Sequence, residues 1–221
     1  MKIAGADRYN DALLADLEAN VQRQASMEAT FDTNANYALL RHYLTAGAFH
    51  TANQTTSAAH TTARILVLAL MRLPEPHFNL ALAILPGPVQ ATPTIAGLAE
   101  AAHALETARF ADFWTTIGAG ADAATHPVAA AALSVPGFED AVRRYALDVV
   151  ALAYTKAPKE VVAEATHLNG ADLEAYIAKH RPTWRSESDG FVIPQADDAA
   201  ARNSADAGGI GVAQLAPFLT A

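Results

Sequence analysis

Three observations predict an all-α protein with a small β wing. Apolar residues recur at helical spacing from about residue 13 to residue 117, Pro and Gly break that pattern at short intervals, and the chain closes on three helices and one hairpin candidate, Trp184–Ile193. Helices of three to four turns joined by short breaks favour antiparallel pairs stacked side by side, as in HEAT or TPR arrays, although no repeat of fixed length is present. Three helices and a hairpin at the end are the layout of a winged helix. The expected division is a HEAT-like helical-repeat domain over residues 1–125, a winged-helix domain with its leading linker helix over 126–196, and a tail over 197–221 able to form a short docking helix.

The elements follow in order. Asn10 caps a helix with Leu13, Leu14, Leu17 and Val21 on one stripe. Asp32 opens the next, with Tyr37, Leu40, Tyr43 and Leu44 facing inward and Gly47 as its stop. Residues 50–60 are polar and aperiodic and read as a loop. From Thr62 to Leu73 nearly every residue is apolar, so this helix is expected to be buried on more than one face until Pro74 ends it. A shorter helix runs from Phe78 to Leu85, and Thr94 caps one carrying Ile95, Leu98, Ala102 and Leu105. Phe110, Phe113, Trp114 and Ile117 form the most aromatic stripe of the chain, expected between adjacent helices of the array. Residues 118–135 read as the boundary between array and winged helix.

Beyond that boundary, Phe138, Val142, Tyr145, Val149 and Leu152 alternate in steps of four and three along a long helix. Val161, Val162, Ala165 and Leu168 line a second helix; Leu173, Tyr176 and Ile177 line a third, with Asn169 and Asp172 as its capping pair. Asp189-Gly190 is a strong turn signal for a two-stranded hairpin.

Composition sets the limits on function. The 221 residues, 52% hydrophobic and 17% charged, describe a folded chain with a sizeable core. The longest apolar run, Ile65–Met71, is far short of a membrane span, and no secretory leader is read at the N-terminus. With no cysteine, disulfides, zinc–thiolate sites and thiol catalysis are excluded. Fifteen basic residues against 23 acidic ones leave a net charge of −8, the wrong sign for a chain that binds nucleic acid over its whole surface.

Several stretches together resemble one family. They are Gly5-Ala6-Asp7-Arg8-Tyr9-Asn10 before a Leu-rich helix, Asn36 to Tyr43, Thr62 to Leu70, Leu105 to Trp114, and above all Gly137-Phe138-Glu139-Asp140-Ala141-Val142-Arg143-Arg144-Tyr145, with Phe191-Val192-Ile193 in the wing. In this order, over roughly residues 5–195, the chain is similar to the K-subunit family of eukaryotic translation initiation factor three. The short leader before Asp7, the long 50–60 loop and the Ala/Asp/Gly-rich tail depart from the family pattern. The resemblance implies a PCI-type arrangement of helical array and winged helix. It also implies a non-enzymatic scaffold subunit in the cytoplasm, partnered by other subunits of the factor, chiefly the L subunit, and through the complex by the small ribosomal subunit.

The residues allow two rival readings. Glu100-Ala101-Ala102-His103 and Glu164-Ala165-Thr166-His167 are both Glu-x-x-His, the spacing of a di-metal carboxylate site, for which Glu28 and Glu139 can supply the remaining ligands. Against it, the helix carrying Glu164 lies between Pro158 and Gly170, too short to span a four-helix bundle. The second rival is nucleic-acid binding through a patch of Lys179, His180, Arg181 and Arg185. Over 159–197, however, acidic residues outnumber basic ones, and the candidate recognition helix begins with Asp172 and Glu174. The glycines at 118–120 and 208–211 lack the strand–helix context of a phosphate cradle, so no cofactor is expected. The wing therefore reads as a protein-binding edge, with Trp184, Phe191 and Ile193 as apolar anchors. Leu215, Phe218 and Leu219, spaced i, i+3, i+4, complete the candidate partner-binding set in the tail.

Overall fold

The computed structural model describes residues 11–27, 30–49, 56–118 and 126–194. Helices α1 (Leu14–Ala25) and α2 (Thr33–Thr45) form the first antiparallel pair. The Asp32 carboxylate caps α2 by accepting from the Ala35 amide at 3.0 Å, as the sequence predicts. Leu17, Val21, Leu40 and Tyr43 are buried between the two, Tyr37 is half-buried, and Leu44 turns outward. The seam also holds a feature that hydropathy does not reveal. Gln24 and Asn36 are both buried and exchange two amide hydrogen bonds of 3.0 Å, while Gln24 Oε1 also accepts from the Asp32 amide at 3.1 Å. Replacing Gln24 by Leu orphans the Asn36 amide and is expected to cost about 1–3 kcal/mol. The double replacement Gln24→Leu/Asn36→Leu should recover much of it, a difference that denaturant melts of the three proteins would resolve.

Helix α3 (Thr56–Leu70) is the hub, packing against α1, α2, α4 (His77–Ile84), α6 (Pro93–Glu106), α8 (Pro127–Leu133) and α9 (Phe138–Ala153). Helices on all sides of it explain why Ile65 to Leu70 are all buried. The expectation of a loop over 50–60 is corrected for its last part: residues 56–60 are the first turn of α3, held by the buried Ala58, and 50–55 lie outside the described residues. Between α4 and α6 lies the single turn α5 (Gly87–Gln90). The cap of α6 is Thr92 rather than Thr94, because Pro93 occupies the first helical position, where its missing N–H is not needed. Ile95, Leu98, Ala102 and Leu105 are buried as expected, as are Phe110, Phe113, Trp114 and Ile117 on and just after α7 (Phe110–Thr116).

Part of the expected boundary is a packed element. His126 Nδ1 accepts from the Ala129 amide at 3.2 Å and starts α8, whose Val128, Ala129 and Ala132 bury against α3 and α6. Gly97 makes the crossing possible: a Cβ there would stand 2.4 Å from Val128 Cγ2.

The C-terminal part runs α9, β1 (Lys156–Pro158), α10 (Lys159–Thr166), α11 (Gly170–His180), β2 (Arg185–Ser186), β3 (Gly190–Val192). This is the winged-helix order, and the sheet is antiparallel with β3 between β1 and β2. Four expectations are corrected here. The sheet has three strands rather than two, because Lys156–Pro158 pairs with β3 across more than thirty intervening residues. The register centres the turn on Ser188 and Asp189, and Gly190 lies in β3 opposite Pro158, where a Cβ would meet the Ala157 carbonyl oxygen at 2.5 Å. Asn169 precedes α11 without a side-chain cap, and the chain enters the helix through Gly170 at φ +56°, a left-handed conformation that glycine adopts freely. On α9 the buried face is Phe138, Val142, Ala146, Leu147 and Val150; Leu152, expected inward, is 89% exposed.

Candidate protein-interaction module

The winged helix is held to the helical array through the last turn of α10. Ala163 there accepts from the Leu168 amide, but the carbonyls after it have no donor within the helix. Trp114 Nε1 donates to the Ala165 carbonyl at 3.1 Å, and Arg143 Nε donates to the Thr166 carbonyl at 3.0 Å. His167, in left-handed conformation at φ +53°, stacks on the Trp114 ring at 5.5 Å, and the Arg143 guanidinium lies 5.4 Å from the same ring. Trp114 is therefore enclosed where α7 meets α9 and α10, not between two helices of the array. Nothing in its local sequence signals a bond to a residue 51 positions away.

A second joint ties α11 to α9. The Tyr176 hydroxyl donates to Asp140 Oδ1 at 2.7 Å; burial, and then this bond, push its phenol well above the ordinary range, so it stays a donor. Arg181 pairs with Asp148 on the same helix.

The wing surface is neutralised from within. Lys156 Nζ contacts Glu187 at 2.7 Å and Asp189 at 2.9 Å, and Lys159 Nζ contacts Glu174 at 2.8 Å. Hydrogen bonds to Glu187 and Asp189 raise the Lys156 ammonium above its usual range, and the same ammonium lowers the Asp189 carboxyl. The basic patch considered from the sequence is divided: Arg181 is paired with Asp148, and the His180 ring stacks on Tyr176 at 4.3 Å. Phosphate contacts draw on uncommitted cations, and Arg181, like Lys156 and Lys159, is already committed to a carboxylate.

The carboxylates and histidines of the di-metal reading do not converge. Glu100 and His103 are exposed on α6, Glu164 and His167 are exposed at α10, and Glu139 is paired with Arg143 at 3.0 Å. Glu28 lies outside the described residues, and among the described residues no group of His, Asp and Glu is arranged to hold a metal ion. The expected anchors Trp184, Phe191 and Ile193 are 9%, 1% and 4% exposed, so their side chains complete the module's own core. Leu215, Phe218 and Leu219 lie outside the described residues.

A helical array joined to a three-stranded winged helix defines a protein of the PCI-like helical class. Residues 56–203 match the model of the CSN8/PSMD8/EIF3K family, and the chain belongs to that family. It is 30% identical to the human protein named eukaryotic translation initiation factor 3 subunit K over 204 residues, covering 91% of this chain and 85% of the relative. The protein of the same name from Xenopus tropicalis is 31% identical over the same shares. That from Nematostella vectensis is 30% identical over 220 residues, 99% of this chain and 94% of its own length.

Proposed function

We propose that the chain is a non-catalytic scaffold subunit of translation initiation factor three, acting in the cytoplasm to support assembly of the preinitiation complex on the small ribosomal subunit. The observation that carries this reading is the end-to-end similarity to proteins named subunit K of that factor. The pairing of Lys156 and Lys159 with carboxylates favours protein partners over RNA as the direct contact. No described helix is long and apolar enough to cross a membrane. The chief partner in this reading is the L subunit. The chain works as a helical-repeat domain over 1–125, a winged-helix domain over 126–196 and a docking tail over 197–221.

Affinity purification of a tagged chain tests the reading. Co-purification of the other subunits of the factor, with the L subunit retained at the highest salt, is the expected result; recovery of the tagged chain alone sinks it. Residues 210–221, with Leu215, Phe218 and Leu219 spaced i, i+3, i+4, supply part of the partner contact in this proposal. Deleting them is expected to weaken co-purification while leaving the melting temperature nearly unchanged. Loss of the folded state on deletion, or undiminished capture, would show the tail to be core or bystander.

A further inference from the structure

We infer that the groove between α3, α6 and α8 is a socket for an apolar, acid-flanked segment of a partner polypeptide; this rests on the scaffold reading above and names a contact surface for it. The groove is a cavity of about 330 Å³ walled by α3, α6 and α8. Ala58, Ala63, Ile95 and Ala131 are among the residues that line it. Alanines on facing helices leave holes of the kind that large apolar side chains of another chain fill as knobs.

Two further observations point to a ligand that brings its own polar groups. Thr62, 1% exposed, lines the groove, and its hydroxyl has no hydrogen-bond partner among the described residues. A buried hydroxyl is costly until something bonds to it, and a polypeptide main chain offers both a donor and an acceptor. Beside it stand His60 and Arg64, two basic side chains on a chain of net charge −8. Arg64 donates to Gln22 Oε1 at 2.7 Å and pairs with no carboxylate among the described residues, leaving most of its five N–H donors for an acidic side chain of the partner. Small-molecule sites fix their ligand with several convergent polar groups. Of the four hydroxyl side chains on the lining, those of Thr92 and Ser134 already donate to the Val89 and Ala131 carbonyls, so few polar groups are left to converge on a ligand, which suits inserted apolar side chains better than a small molecule.

The chain has no cysteine, so Ala131→Cys provides a single attachment point for a thiol-directed photocrosslinker. In the assembled factor, the expected crosslink is to one apolar segment of another subunit with Asp or Glu adjoining. Crosslinks confined to this chain's own residues 195–221, no crosslink to another subunit, or a small molecule recovered from the groove on denaturation would each overturn the proposal. Arg64→Glu is expected to lower incorporation of the chain by about tenfold or more. Arg64→Gln, which keeps a side chain able to bond Gln22, should give a smaller loss in the same direction. Incorporation of both variants at the wild-type level would also overturn it. Failure of the wild-type chain to enter the assembly would instead overturn the scaffold reading itself, which keeps the two failures apart.

Discussion

Replacing Trp114 by alanine is expected to destabilise the chain by about 3–5 kcal/mol, the range for emptying a large enclosed aromatic site. The ring is 3% exposed and meets three side chains at once: Phe113 edge-on at 5.0 Å, His167 stacked at 5.5 Å and Arg143 above it at 5.4 Å. Its N–H also satisfies the carbonyl of Ala165 at the end of α10. Truncation therefore opens a cavity, orphans a helix-terminal carbonyl and removes the surface on which Arg143 and His167 rest. Trp114→Phe separates these effects, because it keeps most of the ring and removes the donor; about 1–3 kcal/mol is expected for it. Urea melts with two spectroscopic probes give both numbers. An unchanged midpoint for Trp114→Ala would show that the junction does not hold the two parts of the chain together.

The second large effect is expected at Gly190. A Cβ at this position would lie 2.5 Å from the Ala157 carbonyl oxygen and 3.2 Å from its carbon. Both are main-chain atoms of β1 and cannot swing aside as a flexible side chain would. Gly190→Ala must therefore part β1 from β3, and a cost at or beyond the upper end of overpacking, about 3 kcal/mol, is expected. The loss should be local. Hydrogen exchange should accelerate at the amides that bridge β1 and β3, such as Ile193 N–H to the Thr155 carbonyl at 2.9 Å, before it does in α3. Gly87→Ala is the control: a Cβ added there would have nothing within 4 Å, so a change within about 0.5 kcal/mol is expected. Equal behaviour of the two alanine variants would rule out the steric account.

Both predictions rest on features of unequal visibility in the sequence. The stripe Phe110, Phe113, Trp114, Ile117 is legible as buried, since its spacing matches one helix face and all four residues are buried. What Trp114 is buried against is not legible, because α10 reaches it only through the packing of the two parts. Asp-Gly at 189–190 is legible as a hairpin signal, but the turn falls one residue earlier than the dipeptide suggests. The third strand, not the turn, requires the glycine. Helix α8 stays hidden because an alanine run carries almost no hydropathy contrast, and only the close approach at Gly97 reveals its buried face. Leu152 reads as inward because a regular alternation of four and three extends the seam, yet the last turn of α9 buries Val150 and leaves the face that carries Leu152 uncovered among the described residues.

The candidate site divides in the same way. That Trp184, Phe191 and Ile193 are apolar and lie in a wing is written in the chain; that they face the module's interior is decided by the helices packed on the sheet. The same holds for the basic residues. Their number is readable, but the pairing of Lys156 with Glu187 and Asp189, and of Lys159 with Glu174, exists only once strands and helices meet.

By itself the sequence determined the helical class, most helix faces, the closing winged helix and the family, because periodicity, caps and local motifs are properties of neighbouring residues. The tertiary structure alone decided the third strand, the clamp on α10, the buried Gln24–Asn36 pair and the groove beside Thr62. Each depends on distances between residues far apart in the chain, which are set by how whole elements pack and not by any local pattern.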